Sequence, residues 1–399
     1  MDGVSKSNKS KISADIIYDG VVFIYILAIF VLENAKYSQV FSIIQIAFFG
    51  YSILMLGRYL KASFCLKWCI VVFLFAGILA ILNYCSETMT TLVIVIKNLL
   101  KVFFFYSYMR EERRIEKLIK YVGIAGVICG INILLEFLGS GMSYSNLKYA
   151  TINRIGAEIA GGNVNIVGMD MCIAFASWLY MVGRIEKKPM KVTAFCIMAF
   201  ILATSLLTGS RKILIFYVVT FVIANLQSSK RNLILVIGGM IALYVALMEI
   251  EPLYFLIGHK LDFFGGNTAY TMYRDSDVNR LVLAERGLRT FIDRPWGIGF
   301  GNSRNYIGSY AHTNYVEVLA SLGLIGFPIF YSSYFHSLYV CSKNRSQPLC
   351  RYTIYTVIGI LLLELGQVTY LYSVPMAFLA IIMAIAATIY NNTSESISE

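Results

Sequence analysis

Twelve apolar runs of about 20 residues, separated mostly by short polar segments, leave this chain little freedom of architecture. They lie near 16–33, 38–57, 65–83, 89–108, 118–138, 163–182, 190–207, 212–226, 232–249, 313–340, 353–371 and 373–391. In a hydrocarbon medium every backbone polar group needs a partner within the protein, and runs of this length meet that demand as helices. The expected fold is an all-α polytopic integral membrane protein of about 12 transmembrane helices, one helical membrane domain over residues 1–399. The run at 212–226 is short for a span and that at 313–340 long. With 58% hydrophobic and 14% charged residues and a mean hydropathy of +0.68, a soluble globular domain is excluded.

The net charge of +11 finds its first explanation in topology, and nucleic acid is not expected as a partner. With a cytoplasmic N-terminus, the inside segments collect Lys6, Lys9, Lys11; Arg58, Lys61, Lys67; Arg110, Arg113, Arg114, Lys117, Lys120; Arg184, Lys187, Lys188, Lys191; Lys230, Arg231; and Lys343, Arg345, Arg351. These are 20 of the 34 basic residues. The short outside segments hold only Lys36, Lys148, Arg154, Arg211 and Lys212. Both termini are therefore expected in the cytoplasm. Lys97 and Lys101 fall inside the fourth run, toward its cytoplasmic end, where snorkelling would relieve them.

The first apolar run follows a polar, lysine-bearing start and has no small-residue cleavage site, so it reads as a retained helix. The eight cysteines sit mostly within spans or on the cytoplasmic side, Cys85 being the exterior one, and imply no disulfide framework. Cys65 and Cys69 lack companion ligands and read as helix packing. The Asn391-Asn392-Thr393 sequon falls in the expected cytoplasmic tail.

Between Leu202 and Phe216 a single interruption, Thr208-Gly209-Ser210-Arg211-Lys212, breaks an otherwise apolar stretch. A cation at a bilayer needs headgroups or a polar cavity. Two readings are open: a tight turn with interfacial cations, or a functional site at the exterior face.

Two exterior loops exceed ordinary connection length, 139–162 and 250–312, and long loops are usually functional. The second interleaves arginines (Arg274, Arg280, Arg286, Arg289, Arg294, Arg304) with aromatics such as Tyr254, Phe291, Trp296 and Tyr306. Rings stack on the apolar faces of sugars, and arginine grips phosphate bidentately. An interface-anchoring loop would share this composition, but its aspartates and glycines exceed what anchoring requires. Arg280 to Asp293 reads as an amphipathic helix with Leu281, Ala284, Leu288 and Phe291 on one face. Pro295 to Asn302 is glycine-rich without the preceding strand or Gly-Lys-Ser/Thr of a nucleotide loop. Its glycines suit close approach to a ligand or to a neighbouring helix.

His312 opens the tenth run, with Thr313 or Asn314 placed to cap the helix. A helix N-terminus disfavours imidazolium, so the ring is expected neutral and able to accept a proton. His259 and His336 receive no role. Asp275 and Asp277 have Asp-x-Asp spacing but lie mid-loop, and no metal or cofactor is expected.

Leu207-Thr208-Gly209-Ser210-Arg211, the stretch Asn279-Arg280-Leu281 through Asn302, and Ala311-His312-Thr313-Asn314-Tyr315 through Gly326 together resemble the bacterial O-antigen ligase and Wzy-type polysaccharide polymerase superfamily. Arg154-Ile155-Gly156 and Gly161-Gly162-Asn163-Val164-Asn165 resemble a weaker motif of that family, which often has proline where this chain has Val164. The resemblance covers about the second half of the chain. It implies an architecture similar to GT-C glycosyltransferases and a metal-independent, inverting transfer on undecaprenyl-pyrophosphate-linked oligosaccharides at the outer face of the cytoplasmic membrane. In that frame Arg211 and Arg280 would hold the pyrophosphate and His312 would orient or deprotonate the acceptor hydroxyl. Lys212, Arg154, Arg286, Arg289, Asn314 and Tyr315 would bind substrate. Lipids and a chain-length regulator are the other expected partners. A ligase would use the same motifs. A flippase for the same lipid-linked unit is the rival outside enzymes, although internal repeats and broken helices, frequent in transporters, are not evident in the sequence.

Overall fold

A computed structural model describes residues 2–33, 37–59, 63–140, 164–226, 230–256, 258 and 268–398. Fifteen helices occur among them: α1 Asp2–Val31, α2 Ser38–Tyr59, α3 Phe64–Leu82, α4 Ser86–Tyr108, α5 Glu112–Gly139, α6 Val164–Arg184, α7 Lys188–Leu206, α8 Arg211–Asn225, α9 Lys230–Glu249, α10 Glu251–Leu256, α11 Thr268–Asp293, α12 Ser303–Ile307, α13 Asn314–Lys343, α14 Pro348–Glu364 and α15 Ser373–Ser398. Nine of these, α1–α7, α13 and α15, are long and apolar enough to cross a membrane. The other three expected spans are shorter apolar helices: Lys212–Asn225 in α8 and Ile237–Glu249 in α9, with α14 at 17 residues. The fold is all-α and polytopic, as the apolar runs require.

An apolar helix can be covered by protein or by lipid, and packing decides which: α15, uninterrupted from Val374 to Ala386, is 83% buried in its apolar window and packs against α4, α13, α14 and α5. Its opposite is α2, 17% buried, at the edge of the bundle. Close helix approach depends on small residues. Gly123, Gly126 and Gly130 of α5 face Trp178, Ala174 and Met171 of α6, and Gly130 also meets Phe200 and Thr204 of α7. Trp178 Nε1 donates to the Gly123 carbonyl at 2.9 Å. Overpacking such a contact costs about 1–3 kcal/mol or more, so Gly126→Leu should lower the detergent melting temperature. Gly77→Leu, where a side chain meets open space, should leave it unchanged.

Charged groups gather at one end of the bundle. Arg114 pairs with Asp15 at 3.0 Å, Lys117 with Asp19, and Arg184 with Glu116 at 3.1 Å, while Tyr108 donates to Asp19 at 2.8 Å. These ties fasten α1, α4, α5 and α6 at the end carrying most of the basic clusters. The 207–210 turn, the 83–85 link and the 294–313 segment lie at the other. With the basic end cytoplasmic, single cysteines at 209 and 270 should label from outside and those at 187 and 344 only from inside. Opposite-face labelling of 209 and 270 would separate the turn from the loop and end the shared-site argument.

Three sequence expectations need correction. Lys101 does not snorkel: it is 3% exposed, lies 3.5 Å from Glu33, and donates to Asn98 Oδ1 at 3.1 Å and to Ser373 Oγ. Its partners arrive from the segment just after α1, from α4 and from the start of α15, so the charge is met inside the bundle. The eleventh expected span, 353–371, is helical only as far as Glu364, the end of α14, and residues 365–372 are irregular backbone before α15. Finally, α13 is not continuous: Gly323, with φ 67° and ψ −169°, breaks it within the apolar stretch.

Candidate functional site

The broken helix and the glycine-rich segment explain one another. Backbone groups freed at Gly323 must be satisfied within the protein, and Pro295–Gly299 does so. Ile298 N–H donates to Ala320 O at 3.0 Å, Gly299 N–H to Ser321 O at 2.9 Å, and Leu324 N–H to Pro295 O at 2.8 Å. Contact this close needs bare backbone: Gly297, Gly299 and Gly301 all have positive φ, and a Cβ at Gly297 would fall 2.6 Å from Ser321 O. Of the two uses the sequence left open for these glycines, helix approach is the one observed. Asn302 completes the seam, donating to Asn83 O at 2.8 Å and Ile298 O at 2.7 Å and accepting from Cys85 Sγ at 3.0 Å.

Buried Glu317, in the first turn of α13, then pins the returning chain: it accepts from Ser303 Oγ and, at 2.8 Å, from Ala311 N–H. The next residue, His312, has φ 58°, a left-handed conformation that a side chain adopts at a cost of about 1–2 kcal/mol. Its neighbours hold it there. Tyr310 packs against the imidazole with ring centroids 4.0 Å apart and the planes tilted by 49°, and the Thr313 hydroxyl donates to Glu364 O at 3.2 Å. Thr313 occupies the N-cap position of α13 without making the side-chain capping bond; that hydroxyl is spent on α14.

Partial burial is the first cause that holds the His312 imidazole down to about pKa 4, followed by the positive charges of Arg280 and then Lys212. The ring is neutral at physiological pH, as the sequence implied, with burial and two cations as the reason in place of the helix dipole. Arg280, half-buried on α11, also acts on Tyr310, whose phenol burial pushes upward against that cation. Lys212 donates to Gly366 O in the irregular segment after α14. One neutral base and two cations from α11, α8 and the 308–313 loop thus share one locality at the mouth of the bundle.

The remaining expected site residues divide. Arg211 begins α8 beside Lys212 after Gly209 at φ 63°; its side chain lies outside the described set, as do those of Asp275 and Asp277. Arg154, Asn163 and His259 lie outside the described residues. Arg286 and Arg289 line a separate open groove of about 400 Å³ with Thr290, Asp293, Tyr306 and Gly308. Arg286 reaches Ile307 O at 3.4 Å, and Arg289 pairs with Glu285 at 2.6 Å. Asn314 is fully buried, donating to Tyr331 Oη at 2.9 Å and accepting from Thr369 N–H at 3.0 Å. Tyr315 donates to Leu361 O at 2.7 Å. Those two side chains brace the scaffold behind His312.

Sequence reasoning missed the centre of that scaffold. Glu364 is fully buried and accepts from Thr369 at 2.6 Å, Tyr331 at 2.8 Å and Tyr334 at 3.4 Å. An acidic residue within an apolar run is a functional signal by default, so Glu364 could have been singled out. Its hydroxyl donors come from α13 and the 365–372 segment, and they fix the backbone that receives Thr313 and Lys212.

No curated protein matches the chain. Residues 194–331 match the family model described as O-Antigen ligase. That stretch contains the 208–212 turn, Arg280, the glycine-rich segment and His312. Over that stretch the chain is similar to the O-antigen ligase family, which supports the O-antigen ligase and Wzy-type superfamily.

Proposed function

We propose that this protein polymerises undecaprenyl-pyrophosphate-linked oligosaccharide repeat units into a surface polysaccharide at the outer face of the bacterial cytoplasmic membrane. The observation that carries the proposal is the convergence of neutral His312 with Arg280 and Lys212, within the segment matching the ligase family. Two cations suit a pyrophosphate, and an unprotonated imidazole suits a hydroxyl.

In the reaction, a sugar hydroxyl of one lipid-linked unit attacks the anomeric carbon of another. The new C–O bond forms as the bond to the pyrophosphate oxygen breaks, with inversion, and the electron pair leaves on undecaprenyl pyrophosphate. The hydroxyl proton passes to His312 or to the leaving phosphate. Because the leaving group accepts the developing charge well, catalysis rests on positioning and on fixed cations. A pyrophosphate bound at Arg280 and Lys212 would offset two of the three influences that depress the His312 pKa. The imidazole would then become a stronger base when the donor is in place.

Purified protein given only lipid-linked repeat units is the test. Dimers and longer lipid-linked oligomers are expected. Product formation only when a different acceptor, such as a lipid A core, is added would make it a ligase. Inward-facing accumulation of single units in a deletion strain would make it a flippase.

A further inference from the structure

The sequence pattern of α11 puts Leu281, Ala284, Leu288 and Phe291 on one face, and the structure packs another side of the helix against α13. Gly287 and Thr290 are buried, and a Cβ on Gly287 would meet Val316 of α13. The apolar positions Val278, Leu281, Leu288 and Ile292 recur at helical spacing on the opposite side and are 48%, 71%, 43% and 72% exposed. One polar residue, Glu285, lies in this stripe, with its carboxylate drawn to Arg289.

The direction of α11 decides what faces the stripe. Gly287 sits beside Val316, and two helical turns later in both segments Pro295 O accepts from Leu324 N–H. The second half of α11 therefore descends parallel to the first half of a membrane-spanning helix. At its foot, Trp296 is 67% exposed. Beside it are Leu324 and Ile325 of α13, 61% and 47% exposed within the span. Near the same seam, where Gly299 approaches Leu79 O, Ile81 and Leu82 of α3 are 74% and 73% exposed. The stripe is thus continuous with the lipid-facing surface of two spans.

We propose that the Val278–Leu281–Leu288–Ile292 face of α11, ending in Trp296, is immersed in the acyl chains of the outer leaflet, so that the long exterior loop is partly a membrane-embedded element. An exposed apolar stripe that runs down beside a span to Trp296, with Arg286 and Arg289 exposed on its flank, has the chemistry of a helix entering the outer leaflet: hydrocarbon against the stripe and headgroup phosphates within reach of the cations. The inference is independent of which glycan transfer the site performs.

The test places an environment-sensitive fluorophore on Leu288→Cys and Ile292→Cys in a cysteine-depleted background, with Arg304→Cys of α12 as the solvent-facing control. The full chain is reconstituted in phosphatidylglycerol/phosphatidylethanolamine nanodiscs with or without doxyl-labelled lipid. Blue-shifted emission quenched at least about twofold at 288 and 292, with none at 304, is expected. Emission at 288 and 292 matching that at 304, without lipid quenching, overturns the proposal and leaves the stripe facing water or a protein partner. A second measurement needs no cysteine background: brominated lipid should quench wild-type tryptophan fluorescence more than that of Trp296→Phe, because Trp68 is buried and Trp178 half-buried. Equal quenching in the two proteins would also overturn it.

Discussion

Replacing Arg280 with alanine should abolish polymer while single lipid-linked units accumulate on the outer face of the membrane. Arg280 lies close enough to His312 to depress its pKa, and in the proposed reaction it receives charge that grows on the pyrophosphate as the glycosidic bond breaks. Removing one preorganised donor at a developing anion costs on the order of 10²–10³ in rate. Arg280→Lys should recover little, because a point charge lacks the planar fork that grips two phosphate oxygens. Arg211→Ala should behave alike if that side chain joins Lys212 at the head of α8. The readout is the lipid-linked saccharide pool, separated by size and by accessibility to an external glycosidase. Single units trapped inside would move the lesion to flipping, and normal polymer in Arg280→Ala would remove this arginine from the site.

The second large effect belongs to His312. As a general base its loss should lower turnover by about 10²–10⁴-fold. As a hydrogen-bond acceptor that orients the hydroxyl it should tolerate glutamine. The pH profile separates the two and has a defined sign. Neutral imidazole is the active form, so kcat/KM should stay level as pH falls from 7 and drop only toward about 4, where the free enzyme takes up the proton. The limb in kcat should lie at higher pH, because bound pyrophosphate offsets Arg280 and Lys212. In Arg280→Gln the residual kcat/KM limb should also move upward, since a positive charge that depresses the His312 pKa is gone. An Arg280→Gln limb unmoved from wild type would show that the titrating group is not His312, and near wild-type turnover in both His312→Gln and His312→Ala would exclude the residue from the chemistry.

The helices were legible because their signal is written in every residue. A run of about 20 apolar side chains has little alternative in lipid, and each such run is mainly helical here, although that at 353–371 stops at Glu364 and that at 313–340 breaks at Gly323. The site was legible where a residue type was out of place: Arg280 and His312 in a membrane-boundary loop, Lys212 between apolar stretches. What failed were contacts between elements distant in sequence. Lys101 resembled a snorkelling lysine because Glu33 and Ser373 are far from it along the chain. What covers the apolar face of α11 was not legible, because hydrophobic periodicity records which side is apolar and not what lies against it. The break at Gly323 was hidden because a glycine in an apolar span looks like packing until the segment that bonds to its freed carbonyls is seen. Asn314 and Tyr315 were expected to face substrate from their place beside His312, and their hydrogen bonds turn them toward the scaffold.

The seam between Pro295–Gly299 and the interrupted α13 bears on how the chain is assembled. Ala320 and Ser321 find their main-chain donors in residues made roughly twenty positions earlier, in the segment that precedes the span. A translocation channel releasing α13 sideways would deliver a helix with unsatisfied carbonyls into hydrocarbon, where each costs several kcal/mol, unless the exterior segment is already waiting beside it. Insertion of this span and docking of the loop are therefore one event, and a lesion such as Gly297→Val should show first as a failure of biogenesis, in reduced membrane yield, before any question of catalysis arises.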